Sequence, residues 1–358
     1  MYKKFFMGIA AMAALTLVSC SSDDLDSLSD NSSKNEAISF DGYLGRSAVS
    51  VNGSRGSVLD KPALQKLTNG AFGVFGNYSK EGAADGYGDN WFKNQKVTYK
   101  TSAWTYDPLK YWLPKGHIDF LAYAPYDSQY DNQQITKDNQ KLDFTVNSII
   151  KDQKDLLWAN ATNQTKTDKP VTFNFNHALA KIGYTVKTNV VGTGTTITLN
   201  KITLAGSADG TSNAPFYTSG TIDLSKTTGA QDLWTKQQGE QKFTWFDGTK
   251  KLTSTSVFNN SNISDNSDEN YLFVIPQDFT GTNKLYVVVD YTITYNTGAE
   301  ATMTNQVSKS LPYNFLQGKA YMINLTVGLT PIEFDAKVTD WTNTTDNKNT
   351  DINIESWK

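Results

Sequence analysis

The sequence predicts an all-β protein built from two consecutive β-sandwich domains. Short runs of alternating apolar and polar residues occur along most of the chain, and Gly, Asn, Asp and Pro separate them. Long stretches with apolar residues at helical spacing are nearly absent. About 320 residues follow the N-terminal region, which is enough chain for two domains of ordinary size.

Residues 1–19 have the features of a lipoprotein signal peptide. Lys3 and Lys4 precede an uncharged apolar run at residues 5–18, which is too short for a relaxed membrane span. A small residue then precedes Cys20, the one cysteine of the chain. We expect cleavage before Cys20 and lipidation of its thiol. An ordinary secretory signal with a chance cysteine is the alternative.

Residues 20–36 are predicted to form a flexible tether, because Ser, Asp and Asn dominate and few apolar residues are present to be buried. The acidic residues after Cys20 fit either a surface-export signal or a plain spacer. With a single cysteine, the chain forms no internal disulfide.

The folded part begins with a strand candidate in residues 37–44. A polar loop at residues 160–169 marks the predicted boundary between an N-terminal domain, residues 37–168, and a C-terminal domain, residues 169–358. Two short segments, 61–67 and 177–181, are candidates for helix. The further strand candidates are residues 142–146, 171–175, 182–186, 196–199, 285–293 and 321–329.

The sequence offers little for catalysis. Its two histidines, His117 and His177, lie in no recognisable catalytic motif, and an ordinary hydrogen-bonded role at a strand end explains each. We therefore expect no enzyme, no metal site and no cofactor. The net charge of −3 also gives no reason to expect a nucleic-acid partner.

Aromatic residues are concentrated in one stretch of the N-terminal half. They could stack on sugar rings, but aromatic side chains also fill sandwich cores and form cross-strand pairs. The core interpretation is the simpler one. The stretch contains Trp91, Phe92, Trp104, Tyr106, Tyr111 and Trp112.

The two arginines of the chain, Arg46 and Arg55, both follow the first strand candidate, whereas lysines number 31. Glycine and serine surround them, so the backbone there is expected to be accessible to proteases. An arginine-specific protease would find no other target. Chance clustering is the alternative explanation.

Several stretches together give the chain a resemblance to the fimbrillins of Bacteroidetes, the subunits of type V pili. Their order and spacing cover nearly the whole chain after the signal peptide. The stretches are residues 111–114 (YWLP), 118–125 (IDFLAYAP), 155–159 (DLLWA), 171–182 (VTFNFNHALAKI), 275–277 (IPQ), 318–321 (GKAY) and 338–341 (VTDW).

The resemblance implies two transthyretin-like β-sandwich domains and a maturation route. The lipidated precursor reaches the outer membrane and is exposed outside. An arginine-specific protease then cuts after an arginine in the first loop; Arg46 matches that position best and Arg55 is the second choice. The first strand leaves, uncovering the pockets that held Ile38, Phe40 and Leu44.

A donor strand from another subunit would then fill the groove. The C-terminal tail is one candidate, because it alternates and carries Ile352, Ile354 and Trp357. Pairing of the tail inside its own sheet is the equal alternative. The implied partners are copies of this chain or related pilin subunits, the protease, the outer membrane through the lipid, and a host or bacterial surface ligand.

The resemblance therefore favours a structural pilus subunit that supports adhesion, located at the outer-membrane surface and, after processing, in an extracellular fimbria. Two other functions stay open. One is a monomeric surface lipoprotein that binds glycans through exposed aromatic residues. The other, with the least support, is a hydrolase.

Overall fold

The chain is described here from a computed structural model. The described residues are 37–44, 64–65, 70–80, 87–167, 169–213, 215–227, 230, 232–259, 271–296, 301–329 and 333–340. Cys20, Arg46, Arg55 and the tail residues Ile352, Ile354 and Trp357 lie outside them. Within the described part, no helix has the length and apolar character needed to span a membrane.

The N-terminal half is dominated by one seven-stranded sheet, with strand order β1-β8-β7-β5-β2-β3-β4. Its strands are β1 (Phe40–Leu44), β2 (Ala71–Ser79), β3 (Tyr87–Lys100), β4 (Ala103–Thr105), β5 (His117–Ala124), β7 (Leu157–Gln164) and β8 (Val171–His177). A three-stranded sheet of order β12-β11-β6 accompanies it. The strands of that sheet are β6 (Lys141–Thr145), β11 (Ser219–Asp223) and β12 (Trp234–Gln238).

The C-terminal half contains two larger sheets, of orders β13-β10-β17-β18 and β14-β9-β20-β21, and β15 adds to β9. The first consists of β10 (Thr195–Ala205), β13 (Phe243–Lys251), β17 (Tyr286–Tyr295) and β18 (Ala301–Ser310). The second consists of β9 (Ala180–Thr188), β14 (Phe258–Asn259), β15 (Leu272–Val274), β20 (Lys319–Val327) and β21 (Glu333–Asp340). A small pair is formed by β16 (Gln277–Asp278) and β19 (Asn314–Phe315).

The cores follow from the alternation of the strands. In β20, the buried side chains recur at every second residue, and they share one apolar cluster with buried residues of β10 and β17 from the facing sheet. A second cluster lies in the seven-stranded sheet and includes Phe40, Phe72 and Phe173. A third joins Tyr123 and Trp158 to Ile222 and Ile275.

The all-β prediction is confirmed, and the strand candidates at residues 285–293 and 321–329 correspond to β17 and β20. The helix candidate at residues 177–181 is wrong, because His177 ends β8 and Ala180 begins β9. In the candidate at residues 61–67, Leu64 and Gln65 are helical and the rest lies outside the described residues. Two short 3₁₀ turns occupy Ser128–Tyr130 and Ile150–Asp152.

Two pairings join the predicted N-terminal and C-terminal domains. β8, which follows the predicted boundary, belongs to the seven-stranded sheet, and β6, which precedes it, pairs with β11. The boundary at residue 168 stays a prediction.

Candidate functional site

The candidate site is the groove that holds β1 at one edge of the seven-stranded sheet. β1 runs parallel to β8, with Phe40 opposite Val171 and Leu44 opposite Phe175. The ladder begins one residue earlier, where the Val171 N–H donates to the Ser39 carbonyl at 2.8 Å. Among the described residues, β8 is therefore the one strand whose main chain pairs with β1.

On the side away from β8, β1 is held at its beginning by the segment that follows β4. The Ile38 N–H donates to the Lys110 carbonyl at 2.8 Å, and the Tyr106 hydroxyl donates to the Ile38 carbonyl at 2.7 Å. Ala37 forms an isolated antiparallel bridge with Tyr111. These bonds close the groove over the start of the strand.

The inward face of β1 supplies the apolar anchors. Ile38, Phe40 and Leu44 are exposed by 1%, 4% and 7% respectively. The Phe40 ring lies 5.3 to 5.7 Å from four other rings, and each large apolar side chain contributes about 1.5–3 kcal/mol when fully buried. The four rings belong to Phe92, Tyr106, Phe120 and Phe173.

Gly42 lies between Phe40 and Leu44 on the same inward face. A Cβ atom there would lie 3.0 Å from Leu64 Cδ2, 3.3 Å from Phe175 Cε2 and 3.4 Å from Phe72 Cε1. The glycine therefore lets the backbone of β1 approach the core closely.

The outward face of β1 is polar. Asp41 and Tyr43 are half-buried, and the Tyr43 hydroxyl donates to Asp41 Oδ2 at 2.6 Å. The strand thus has one apolar face in the core and one polar face at the surface, as the alternation of its sequence predicts.

The groove wall contains a partly buried lysine. Lys110 Nζ donates to the Trp91 carbonyl and lies 4.9 Å from the centre of the Phe92 ring. Burial lowers the pKa of Lys110 below its ordinary value. Burial also raises the pKa of Tyr106, which outweighs the opposite effect of its hydrogen bond to the Lys110 backbone.

His177 and Asp155 form a buried pair at the end of β8. Their side chains are exposed by 2% and 6%, and His177 Nδ1 lies 2.8 Å from Asp155 Oδ2. His117 begins β5, with Nε2 3.9 Å from Asp119 Oδ2. The hydrogen-bonded role at a strand end is confirmed for His177. No group of three or more His, Cys, Asp or Glu side chains within the described residues is arranged to hold a metal ion.

The aromatic stretch lies mostly in the core. Phe92, Trp104, Tyr106 and Trp112 are buried, which confirms the core interpretation for these four. Trp91 is half-buried, and Tyr111 is 45% exposed.

Of the predicted site residues, the structure brings Ile38, Phe40 and Leu44 together in one groove. Sequence reasoning missed Gly42, Lys110 and Asp155, and it assigned Tyr106 to the core without placing it at the groove. The alternation of residues 38–44 could have identified Gly42, because a glycine stands where a third inward side chain is expected. The others contact the strand or its neighbour across long sequence separations and carry no local signal.

A family model described as fimbrillin-like matches residues 65–341. A fimbrial protein from Bacteroides vulgatus has a similar structure, with a TM-score of 0.59 and 22% identity over 86% of this chain and 99% of its own. A candidate cell adhesion protein from Bacteroides ovatus has a TM-score of 0.51 and 18% identity over 86% and 98%. No curated protein matches the chain at a significant level.

Proposed function

This chain belongs to the fimbrillin-like family, and from that membership we propose that it is a structural subunit of a surface pilus that supports adhesion. The subunit is delivered as an outer-membrane lipoprotein with its lipid on Cys20. An arginine-specific protease cuts after Arg46, or after Arg55, and β1 leaves with the lipid and the tether. A donor strand from another subunit then occupies the groove.

The observation that carries the proposal is the way in which β1 is held. It is a five-residue edge strand with one strand neighbour among the described residues, yet its inward side chains are deeply buried. Arg46 follows two residues after its end. A single cut there separates the strand from the rest of the chain.

Loss of β1 would leave a site that another strand can occupy. It would expose the unpaired backbone edge of β8 and the pockets of Ile38, Phe40 and Leu44, and an unpaired edge of this kind is a template for another strand. A donor strand that restores both the ladder and the pockets binds by strand addition. Residues 351–358, with Ile352, Ile354 and Trp357, are the candidate donor, and pairing of this tail within its own sheet is the alternative.

The test of processing compares three variants of the full-length chain. Arg46→Ala is expected to block cleavage and polymer growth, whereas Arg55→Ala alone should leave both intact and serves as the matched control. The double variant should stay monomeric. The measurements are SDS-resistant ladders in unboiled gels and electron micrographs after treatment with an arginine-specific protease. Normal polymer from the double variant would reject proteolytic activation.

Lipid attachment is tested separately by metabolic labelling with palmitate. The wild-type precursor should incorporate the label and Cys20→Ala should not. Equal labelling of both would show that Cys20 is not the lipid site. That result would not test assembly of the pilus.

Glycan binding by a monomeric lipoprotein is the second candidate, and the features that favour it are the exposed ring of Tyr111 and the half-buried ring of Trp91. Binding on a glycan array that is lost in Tyr111→Ala and Trp91→Ala, but kept in Leu109→Ala, would support it. Leu109 is 53% exposed, so this control leaves the core intact.

A further inference from the structure

β18 is a long strand at the edge of its sheet. It ends the sheet of order β13-β10-β17-β18, and among the described strands it pairs with β17 alone, over all ten of its residues. Such an edge presents a row of backbone N–H and C=O groups with which a further strand can pair. Residues 301–308 contain no charged residue, no proline and no glycine. This stretch therefore lacks the residues by which natural edge strands prevent pairing.

The other edge strands of eight or more described residues, β13 and β21, carry such residues. β13, at the opposite edge of the same sheet, contains Asp247, Lys250 and Lys251. β21 has four charged residues among its eight. Among the described strands, β18 is thus the long edge whose sequence permits pairing.

The register with β17 shows which residues of β18 face the open edge. The Leu311 N–H donates to the Leu285 carbonyl at 2.7 Å, and the register continues from this pair without irregularity to the pair of Ala301 and Tyr295. Because backbone groups alternate between the two edges of a strand, the odd-numbered residues bond to β17. The even-numbered residues therefore direct their N–H and C=O groups to the open edge. They are Thr302, Thr304, Gln306, Ser308 and Ser310.

The side chains of these five residues lie on the outward face of the sheet. Val307 is opposite Val289 and packs against the core, so the even-numbered side chains point the other way. All five end in a hydroxyl or an amide, and Gln306 Nε2 donates to Asp290 Oδ1 at 2.8 Å. Threonines extend this face in two rows across β10, β17 and β18. The rows are residues 196, 294 and 302, and residues 198, 292 and 304. The outward face is thus a polar surface of hydroxyl rows that ends at the open edge.

We propose that β18 pairs with β18 of a second copy, antiparallel and about a two-fold axis at Gln306, so that the two four-stranded sheets join into one. The register that uses all five open-edge residues places Gln306 opposite its own equivalent. Each hydrogen-bonded pair exchanges two bonds, so the five pairs form about ten, which is the number in a typical protein interface. The inference does not depend on the proposed function, because β1 stays in place.

The side chains favour a second copy as the occupant. In this register, Thr304 lies opposite Ser308 of the second copy and Thr302 opposite Ser310, and such hydroxyl pairs can hydrogen-bond across strands. The rows of hydroxyl groups therefore continue from one copy into the other.

The inward face is also compatible with two-fold pairing. Met303 is 53% exposed, and in this register it lies opposite Lys309 of the second copy, whose methylene stem can cover it. The two Lys309 ammonium groups lie at opposite ends of the paired strands. The arrangement therefore brings no like charges of β18 together.

The test uses the full-length chain without protease treatment. Sedimentation equilibrium should show a reversible dimer with a Kd on the order of micromolar, as for a small interface. Gln306→Glu places two carboxylates opposite each other at the axis, beside Asp290 of each copy, and should raise the Kd about tenfold or more. Gln306→Lys supplies the opposite charge, so an equimolar mixture of the two variants should form a heterodimer that is tighter by at least the same factor. Thr294→Glu, on the same outward face but in the interior strand β17, is the matched control with unchanged Kd.

A second pair of variants tests the backbone bonds. Thr304→Pro removes an N–H that faces the open edge and leaves the ladder with β17 intact, so the Kd should rise about tenfold. Thr304→Ala keeps that N–H and should change the Kd by less than about threefold. Thermal unfolding of each variant checks that the fold is intact. In the wild type, hydrogen exchange should show that the even-numbered amides of β18 become protected as the protein concentration rises.

Three results would overturn the inference. One is a chain that stays monomeric at about 1 mM, and another is a dimer whose Kd neither Gln306→Glu nor Thr304→Pro alters. The third is protection of the even-numbered amides in the monomer, which would show that another part of the same chain, such as residues 341–358, covers the edge. None of these results tests cleavage after Arg46 or the release of β1, so the proposed function and this inference can fail separately.

Discussion

β1 and β20 have the same alternation of buried and half-buried residues but different positions in their sheets. Both alternate buried and half-buried residues, and both run parallel to a neighbouring strand. β20, however, pairs over eight residues with β9 on one side and over eight with β21 on the other. Among the strands that the structure describes, β1 pairs with β8 alone, over five residues. A strand in the middle of a sheet is held along both edges, whereas a short strand at the edge of a sheet is held along one.

This difference shows that the burial of its side chains alone does not determine how much free energy is needed to detach a strand. Phe40 is as well packed as Ile323, at 4% and 1% exposure. Detachment of β1 would break one ladder and leave the C-terminal cluster untouched, because that cluster contains no residue of β1. Detachment of β20 would open the sandwich itself. Local opening is therefore expected to cost far less at β1 than at β20.

The largest expected effect comes from a charge in the middle of β20. Ile323→Asp removes a fully buried side chain and leaves an unpaired carboxylate in the core, so the free energy of unfolding should fall by about 5 kcal/mol or more. Chemical denaturation of the whole chain measures this. Thr326→Asp, at a half-buried position of the same strand, is the control. A loss below about 2 kcal/mol would contradict the central role of β20.

The second effect tests whether β1 opens locally. Phe40→Ala should weaken the docking of β1 by about 3–5 kcal/mol, because the cavity is lined by four rings. The loss in global stability is capped at the free energy with which β1 docks, because the detached strand contributes nothing further. Hydrogen exchange should show fast opening at residues 40–44 and unchanged protection in β17 and β20. Ser39→Ala, at an exposed position, is the control. Equal loss of protection in β20 would show that the two strands open together as one cooperative unit.

The third effect tests how closely the core packs around Gly42 of β1. Gly42→Val should loosen the strand by about 1–3 kcal/mol through overpacking against Leu64, Phe72 and Phe175. The rate at which an arginine-specific protease releases the strand should rise accordingly. Gly281→Val is matched to it, since a Cβ at Gly281 meets no atom within 4 Å. Equal release from both variants would mean that the core around Gly42 has room for a larger side chain.

The smallest effect concerns the hydrogen bond over the start of β1. Tyr106→Phe should cost about 0.5–1.5 kcal/mol of docking free energy at neutral pH. Burial raises the pKa of Tyr106 above the ordinary value of 10.0, so the docked strand keeps the phenol protonated where the undocked state ionises. Docking is thus fully stable below pH 10 and weakens as the pH rises through the raised pKa.

The alkaline measurement is release of the cleaved β1 peptide between pH 9 and 12, a range set by the ordinary tyrosine pKa of about 10. Release should accelerate with pH in the wild type and less so in Tyr106→Phe. Global unfolding also depends on Tyr123, Tyr130 and Tyr184, whose pKa values burial raises, so the local readout is needed. An identical pH profile for both proteins would show that Tyr106 does not contribute to the docking of β1.

The strand content and the anchors of the site could be predicted from local patterns. Period-two alternation identifies Ile38 and Phe40 as inward residues wherever the strand pairs, because side chains alternate along any strand. The helix proposed at residues 177–181 failed for the converse reason. Ala178 and Leu179 form the short connection between β8 and β9, which belong to different sheets, and so short an apolar run has no period that distinguishes a turn from a helix.

The sequence by itself determined the all-β class, the inward and outward faces of β1, and the position of two arginines after that strand. Each of these follows from residues that are close together in the chain. Only the tertiary structure decided that β1 is an edge strand parallel to β8, that Tyr106 and Lys110 close the groove over it, and that three distant side chains leave no room beyond a Cβ at Gly42. The physical reason is that strand neighbours and cavity walls are set by pairings between residues tens of positions apart, which local periodicity does not encode.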